Sequence, residues 1–452
     1  MNRPDMPHPV KLIQMKFKKI ACLVICYLIA GFAAKAQNAP LLTLKDAIDT
    51  ALKNNYNIQL SQNNNTIAKN NVTLGNAGFL PVVTGNFSNN NSVQNSTVTR
   101  TTGTSNFTNV RSRNNNYGVA LDWTVFDGFA MFANYDALKV RDKLSNITSR
   151  DTVLQTVTSV ITTYYSLINQ NQILKSLKAA IGISKNQLQF ANDKFAVGTV
   201  ARLDVLNAEV NVNTDTANYL TQLQQLKTTK IQLNQLLVRS LQSDFSVTDT
   251  IIVDEKLFLN DILVAASIQN PRILSSQIAR QLAEINLRQI KAVRYPVIGL
   301  ATGYNFTNSR SPSGALLAQD ARGLTYGLTA SINIFDGFNQ RRRESNAKIQ
   351  IENSALTAKQ IKLGIDAQVN SLYVNYISGL DLIKLGQQNV AIAKRNLEIT
   401  LDKYKLGNIT PLEVRQAEVN FVNAQVSFRA AEYQAKSAEI ALKQITNNIN
   451  IQ

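Results

Sequence analysis

Apolar and polar residues alternate through Val119-Ala-Leu121-Asp-Trp123-Thr-Val125, and again on the same parity through Leu328-Thr-Ala330-Ser-Ile332-Asn-Ile334. A period of two predicts strands with one apolar and one polar face. Strands beginning at Val82 and Val297 would pair with them. The Asn/Ser/Thr/Gly-rich segments 88–116 and 308–323 then read as exposed hairpin loops. Beyond Gly128 the period changes. Leu154, Val157, Ile161, Tyr164 and Ile168 recur at three-and-four spacing, and Gly182 is the one glycine between Gly128 and Gly198. A helical element of about 70 residues, roughly 100 Å long, is predicted there. A twin runs from Gly337 to Gly407, and shorter helices return from Leu203 to about Arg239 and from Leu412 to about Ile445. Upstream of each strand pair lie two more helices. One carries Leu44, Ala47, Ile48, Ala51 and Leu52 on one face, with a counterpart from Leu259 to Asn270; the other spans Ile58–Gly78 or Ile273–Arg294. Each of the second kind stops before a proline, Pro81 or Pro296, as the restricted backbone of an X-Pro pair requires.

These elements are one unit written twice. Asp193, Phe195, Gly198, Leu203 and Ala208-Glu-Val-Asn211 return as Asp402, Tyr404, Gly407, Leu412 and Ala417-Glu-Val-Asn420, a shift of 209 residues. The same shift carries Phe126-Asp-Gly-Phe129 onto Phe335-Asp-Gly-Phe338, while the prolines lie 215 apart because the first copy's strand region is six residues longer. Such self-similarity places the first repeat at 37–245, with a strand pair at 81–126 and a helical hairpin at 127–240. The second repeat occupies 246–452, with a strand pair at 296–335 and a hairpin at 336–447.

Residues 1–36 read as a secretory leader: a basic stretch from Met15, itself a possible start, then an apolar run from Ile20 to Phe32 and Ala34-Lys-Ala36 before Gln37. The apolar run is too short for a membrane helix of about 20 residues. Both cysteines, Cys22 and Cys26, and the single histidine, His8, lie in this segment. A mature chain without His or Cys lacks the common zinc ligands, a Ser-His-Asp triad and a thiol nucleophile, so an enzyme is not expected and no cofactor or metal is called for. Of the formal charge of +17, the leader's six Lys/Arg and one Asp account for +5, leaving +12. These cations are scattered among Asn and Gln without a dense cluster, which fits a solvated surface and argues against a nucleic-acid partner.

The strand pairs give four strands, each expected to present an apolar face near the 9–11 residues that cross a bilayer. Open sheet edges cannot lie in lipid, and closing a barrel takes about eight strands, so several chains must contribute; three would give twelve. Asp122, Thr124, Thr329, Ser331 and Asn333 would line the lumen, and Trp123, Val125 and Ile332 would face lipid. Tyr117, Phe126, Phe129, Phe306, Tyr326, Phe335 and Phe338 would form aromatic girdles near the strand ends.

With Val125-Phe-Asp127-Gly128 and Ile334-Phe-Asp336-Gly337 at the strand-to-helix junctions, and the turns Gly198-Thr-Val-Ala-Arg-Leu-Asp204 and Gly407-Asn-Ile-Thr-Pro-Leu-Glu413, the whole mature chain resembles the trimeric TolC-like outer-membrane efflux and export proteins. The resemblance implies a mixed α and β fold, internally duplicated, in which four transmembrane strands per chain complete a 12-stranded trimeric barrel. A long α-helical barrel in the periplasm continues it. It implies a passive exit duct in the outer membrane, loaded through a periplasmic adaptor by an inner-membrane transporter. The adaptor would dock on the turns Val197-Gly198-Thr199-Val200 and Leu406-Gly407-Asn408-Ile409. By the same resemblance Asp204, Tyr404 and Glu413 are gate candidates; Ile409 stands where the family's arginine would be, and Gln416 replaces a second acid beyond Glu413. The residues read by themselves make Asp127 and Asp336 N-caps of the long helices, Gly198 and Gly407 inter-helix turns, and Asp204 a dipole-favouring acid. Two other classes compete: a trimeric coiled-coil surface adhesin, which would lack the strands, and a periplasmic adaptor, which would carry one hairpin.

Overall fold

The computed structural model describes residues 40–312 and 317–448; the expected leader, 1–36, lies outside them. The first half contains α1 (Leu44–Asn54), α2 (Tyr56–Asn70), the one-turn α3 (Leu74–Ala77), β1 (Val82–Arg100), β2 (Gly103–Asp127), α4 (Ala130–Ala196) and α5 (Arg202–Leu236). The second half contains α6 (Leu259–Gln269), α7 (Pro271–Ala292), β3 (Val297–Arg310), β4 (Ala318–Ser331), α8 (Asn339–Lys405) and α9 (Pro411–Ile445). α4 and α8 have 67 residues each, and α5 and α9 have 35 each.

Matching local chemistry starts matching elements. The Asn55 side chain accepts from the amides of Asn57 and Ile58, and Asn270 accepts from those of Arg272 and Ile273, so α2 and α7 carry the same N-cap. The helices differ in where they stop. α7 is continuous, whereas the single helix expected over Ile58–Gly78 breaks at 71–73, because Thr73 caps a new turn by accepting from the Asn76 amide.

The four strands form one antiparallel sheet in the order β1-β2-β3-β4. Residues expected as hairpin loops, 88–116 and 308–323, lie largely in strands: β1 pairs with β2 until Arg100↔Gly103, and β3 with β4 until Arg310↔Ala318. Asn, Ser and Thr mark polarity, not an unpaired backbone, and a partner strand satisfies their amides and carbonyls as well as those of valine. The strands, at 19, 25, 14 and 14 residues, accordingly outrun the expected crossing length. β4 ends at Ser331, so Ile332 and Asn333, expected on its two faces, lie beyond it.

At the strand-to-helix junctions the expected capping is also different. Gly128 and Phe129 (φ +70° and +71°), like Gly337 and Phe338 (φ +66° and +63°), turn the chain before each helix starts. The first helical bonds end on the carbonyls of Phe129, from Ala133 at 3.3 Å, and Phe338, from Arg342 at 3.1 Å. Asp127 and Asp336 therefore stand two residues before the cap. Asp127 is the last residue of β2, and Asp336 pairs with Arg343 at 3.2 Å. Only glycine fits at 128, since a Cβ there would lie 2.2 Å from the Ala292 carbonyl oxygen.

The chain forms two compact units that cut across the repeat. One holds the sheet, with Ala51–Thr162, Ile252–Asn389 and the chain from Ala430. Its main core joins Ile262 and Ala266 of α6, Ile273 of α7, Ile365, Val369 and Tyr376 of α8, and Ala438, Leu442 and Ile445 of α9. Gly379 lets α8 approach α9 closely; a Cβ there would lie 2.8 Å from that of Ala435. The other unit holds Thr163–Ile251, Val390–Arg429 and the chain up to Thr50. Each unit ties a long helix to the segment that leads into its repeat's first helix with a tyrosine: Tyr164 donates to the Leu42 carbonyl at 2.9 Å, and its repeat mate Tyr373 donates to that of Leu257 at 3.4 Å.

Candidate functional site

The sheet's two faces are chemically opposite. Residues directly across antiparallel strands share a face, so the registers define rows: Trp123, Leu300 and Leu328; then Val83, Leu121, Thr302 and Tyr326. Gly85, Val119, Tyr304 and Leu324 follow, then Phe87, Tyr117, Phe306 and Arg322. The next row on this face is Asn89, Asn115, Asn308 and Asp320. Four apolar rows two residues apart span roughly 20 Å along the strands, near the height of the apolar band on an outer-membrane barrel. Tyr117 and Phe306 stack at 4.8 Å near the band's limit, and Phe126, Phe129 and Tyr295 gather at its other end. Trp123 anchors that end by donating its indole N–H to the Phe79 carbonyl at 2.9 Å. The reverse face carries Thr84, Asn86, Asp122, Thr124, Thr325 and Thr329 with Gly118, Gly303 and Gly327. Among the described residues no helix is long and apolar enough to cross a membrane.

In the other unit, the two turns are copies. Gly198 (φ +78°) and Gly407 (φ +80°) each close a helix with two backbone bonds. The Gly198 and Thr199 amides donate to Phe195 and Lys194, and those of Gly407 and Asn408 donate to Tyr404 and Lys403, all at 2.9–3.0 Å. Val197, Leu406, Leu203 and Leu412 are all well exposed around them.

The starts of the returning helices differ. Thr410 and Glu413 form a capping box: the Thr410 amide donates to the Glu413 carboxylate at 2.8 Å, and the Glu413 amide to the Thr410 hydroxyl at 3.4 Å. Those bonds hold the Glu413 carboxyl below its ordinary range. Ala201, the mate of Thr410, offers no side-chain cap, which leaves Asp204 outside such a box. Asp204 instead acts on Tyr404. Burial raises the phenol's pKa, and the Asp204 charge raises it further, although no hydrogen bond joins the two among the described residues. Tyr404 packs edge-on against Phe190 at 5.1 Å, with the Lys194 ammonium 4.6 Å and 4.9 Å from the two ring centres. This cation–π clasp between α4 and α8 was not visible from spacing.

Nor was a buried ionic cluster. Arg415 holds Asp215 of α5 through two bonds of 2.8 Å and reaches Glu418, one turn along α9, through one of 3.2 Å. Gln187 of α4 donates to the same Glu418 oxygen at 3.4 Å, and the other oxygen, Oε1, is buried without a partner. Burial first, then the Asp215 charge, pushes the Glu418 pKa up to about 7, against the opposing pull of Arg415 and Gln187. The repeat mates of Asp215 and Arg415 are Ala424 and Leu206, so the cluster has no twin. Among the described residues no group of three His, Cys, Asp or Glu side chains could hold a metal ion.

The sequence pattern of the family described as "Outer membrane efflux protein" matches residues 47–238 and 262–448. Outer membrane efflux protein BepC of Brucella suis is 21% identical, over 93% of this chain and 89% of that one. Outer membrane protein TolC of Escherichia coli is 22% identical over 76% of this chain and 71% of that one. Among solved structures, the Campylobacter jejuni CmeC outer membrane channel superposes with a TM-score of 0.76 at 18% identity, covering 90% of this chain and 85% of that one. A fold of this kind leaves no place for an adhesin of continuous heptads, whose axis the sheet would interrupt.

Proposed function

Since the chain belongs to the outer membrane efflux protein family and is an exit duct in the outer membrane with its helical part in the periplasm, we propose that three copies close one twelve-stranded barrel. The observation that carries this reading is a four-stranded sheet with a one-sided apolar band, whose outer strands β1 and β4 each have a partner on one side within the chain. In lipid each unpaired amide or carbonyl costs several kcal/mol, so those edges must meet other copies. Thr84, Asp122, Thr124 and Thr329 then face a water-filled lumen, and the tyrosine- and leucine-bearing face contacts lipid.

The exposed turns Val197–Val200 and Leu406–Ile409 are the docking points for a periplasmic adaptor, through which an inner-membrane transporter delivers cargo. Asp204 and Tyr404 form the side of the gate that this chain retains, while Glu413 mainly secures the start of α9. The duct is passive: it uses no cofactor and carries out no catalysis. Native mass in detergent and single-channel conductance in planar bilayers test the whole reading. Three copies with discrete conductance steps support it. A single copy, or a trimer that stays silent even after Asp204 and Tyr404 are replaced, overturns it.

A further inference from the structure

Every arginine of the sheet lies at or beyond the row of Phe87, Tyr117 and Phe306. Segments 88–116 and 308–323 carry Arg100, Arg111, Arg113, Arg310 and Arg322, with no lysine and with Asp320 as their one carboxylate. The strand residues nearer the helices carry Asp122 and Asp127 and no basic group. Alternation then sorts the arginines by face. Arg111 and Arg113 keep the parity of Tyr117 on β2, Arg310 keeps that of Phe306 on β3, and Arg322 shares a row with both rings. These four are exposed, and all lie on the face of the apolar band instead of the polar reverse face. Two of them oppose each other. Arg113 and Arg310 are direct partners across β2 and β3, a placement in which side chains start roughly 5 Å apart and like charges repel. The single carboxylate offsets little of this: Asp320 meets Arg310 at 3.3 Å and also accepts from Asn308, while Arg113 turns its Nε to the Asn115 amide oxygen at 3.4 Å. A strand pair gains from two cations placed in this way when an anion bridges them.

The helices leave the sheet at its opposite end and lie in the periplasm, so the arginines stand at the exterior surface, in the head-group layer of the outer leaflet. We propose that this face of each chain binds a phosphorylated glycolipid of that leaflet, an inference that rests on the lipid-facing orientation of the apolar band. One phosphate sits between Arg113 and Arg310. The planar fork of arginine meets phosphate oxygens through two parallel bonds, a geometry lysine does not offer. Arg111 lies one row farther out and Arg322 two rows closer to the band, roughly 7 and 13 Å along the strands. That spread fits a head group with two phosphates better than a free phosphate ion. Between the opposed arginines and the rings lies the row Asn89, Asn115, Asn308 and Asp320, whose amides and carboxylate suit sugar hydroxyls. From the band outward the face thus offers aliphatic and aromatic side chains to acyl chains, then amides to a sugar, then guanidinium groups to phosphate.

Native mass spectrometry of the detergent-purified protein tests the site, with diphosphorylated lipid A and the same lipid stripped of its phosphates as probes and inorganic phosphate as competitor. The protein should hold the diphosphorylated lipid at least tenfold more tightly than the stripped form, and inorganic phosphate in the same concentration range should not displace it. Arg113→Gln with Arg310→Gln should weaken that binding at least tenfold while leaving native mass and single-channel conductance unchanged. Melting separates binding from a structural role. Without glycolipid the double variant should melt at or above the parent, because the repulsion is gone, and added glycolipid should raise the parent's midpoint alone. Equal binding by the variant, or equal binding of the stripped lipid, overturns the site; displacement by inorganic phosphate overturns the lipid as its occupant. Both results leave a conducting three-copy assembly standing, whereas a native mass of one copy overturns the barrel reading itself.

Discussion

Replacing Glu418 by glutamine should flatten the pH dependence of this protein's stability. Glu418 is fully buried, and Arg415 spends two bonds on Asp215 but one on Glu418. One guanidinium thus serves two carboxylates, and the one with an orphaned oxygen gives up its charge more readily. Its pKa rises from 4.5 to about 7 in the folded chain. At about 1.4 kcal/mol per unit, ionising Glu418 in place costs about 3 kcal/mol more than ionising it unfolded. Below pH 4.5 the carboxyl is protonated in both states, and its contribution is fully present. As pH rises the unfolded chain ionises first, so stability falls until pH passes about 7 and then levels off.

The glutamine variant keeps the shape and a hydrogen-bonding head but cannot ionise. Thermal unfolding in detergent at pH 5, 6, 7 and 8 should show the variant gaining on the parent by a few degrees across that range. Asp215→Asn should move the parent's fall to lower pH, because it removes the charge that opposes Glu418 ionisation. Parent and Glu418→Gln curves that stay parallel from pH 5 to pH 8 would refute the reasoning, since the group would then have the same proton affinity folded and unfolded.

Arg415→Met should destabilise by roughly 3–5 kcal/mol at pH 8, because two buried carboxylates lose their counter-charge, and by less at pH 5; denaturant titration at both values checks it. Leu324→Arg, in the apolar band, should cost about 2–4 kcal/mol and lower the yield of assembled protein in the outer membrane, read by fractionation. Thr410→Ala should lose about 1 kcal/mol through its cap without opening the duct, whereas Asp204→Ala should raise conductance with little change in melting. If both tip variants shift melting and conductance alike, the division between cap and gate is wrong.

What could be read from the chain was whatever the repeat states twice. Gly198 and Gly407 and the two long helices follow from spacing, and the shared parity of Val119–Val125 and Leu328–Ala330 sets the two sheet faces. Misreadings arose where composition stood in for backbone pairing. Residues 88–100 look like loop because they are polar, yet a neighbouring strand satisfies them. Thr410-Pro-Leu-Glu413 spelled a capping box that its place beside the tip obscured. The Asp215–Arg415–Glu418 cluster joins residues 200 positions apart on separate helices, so no local pattern announces it. It could have been suspected in one way: Asp215 and Arg415 replace what is alanine and leucine in the other copy. In a duplicated chain, agreement between copies reports the architecture both must build. A charged residue that breaks the agreement in a buried place departs from what the repeat requires, since its mate builds the corresponding helix without the charge. The Phe79–Tyr135 ring contact, which becomes the Arg294–Glu344 ion pair in the second copy, is a milder case of the same departure. Its Arg294 side stays open to solvent, so it needs no compensation, whereas Glu418 is enclosed and must answer to pH.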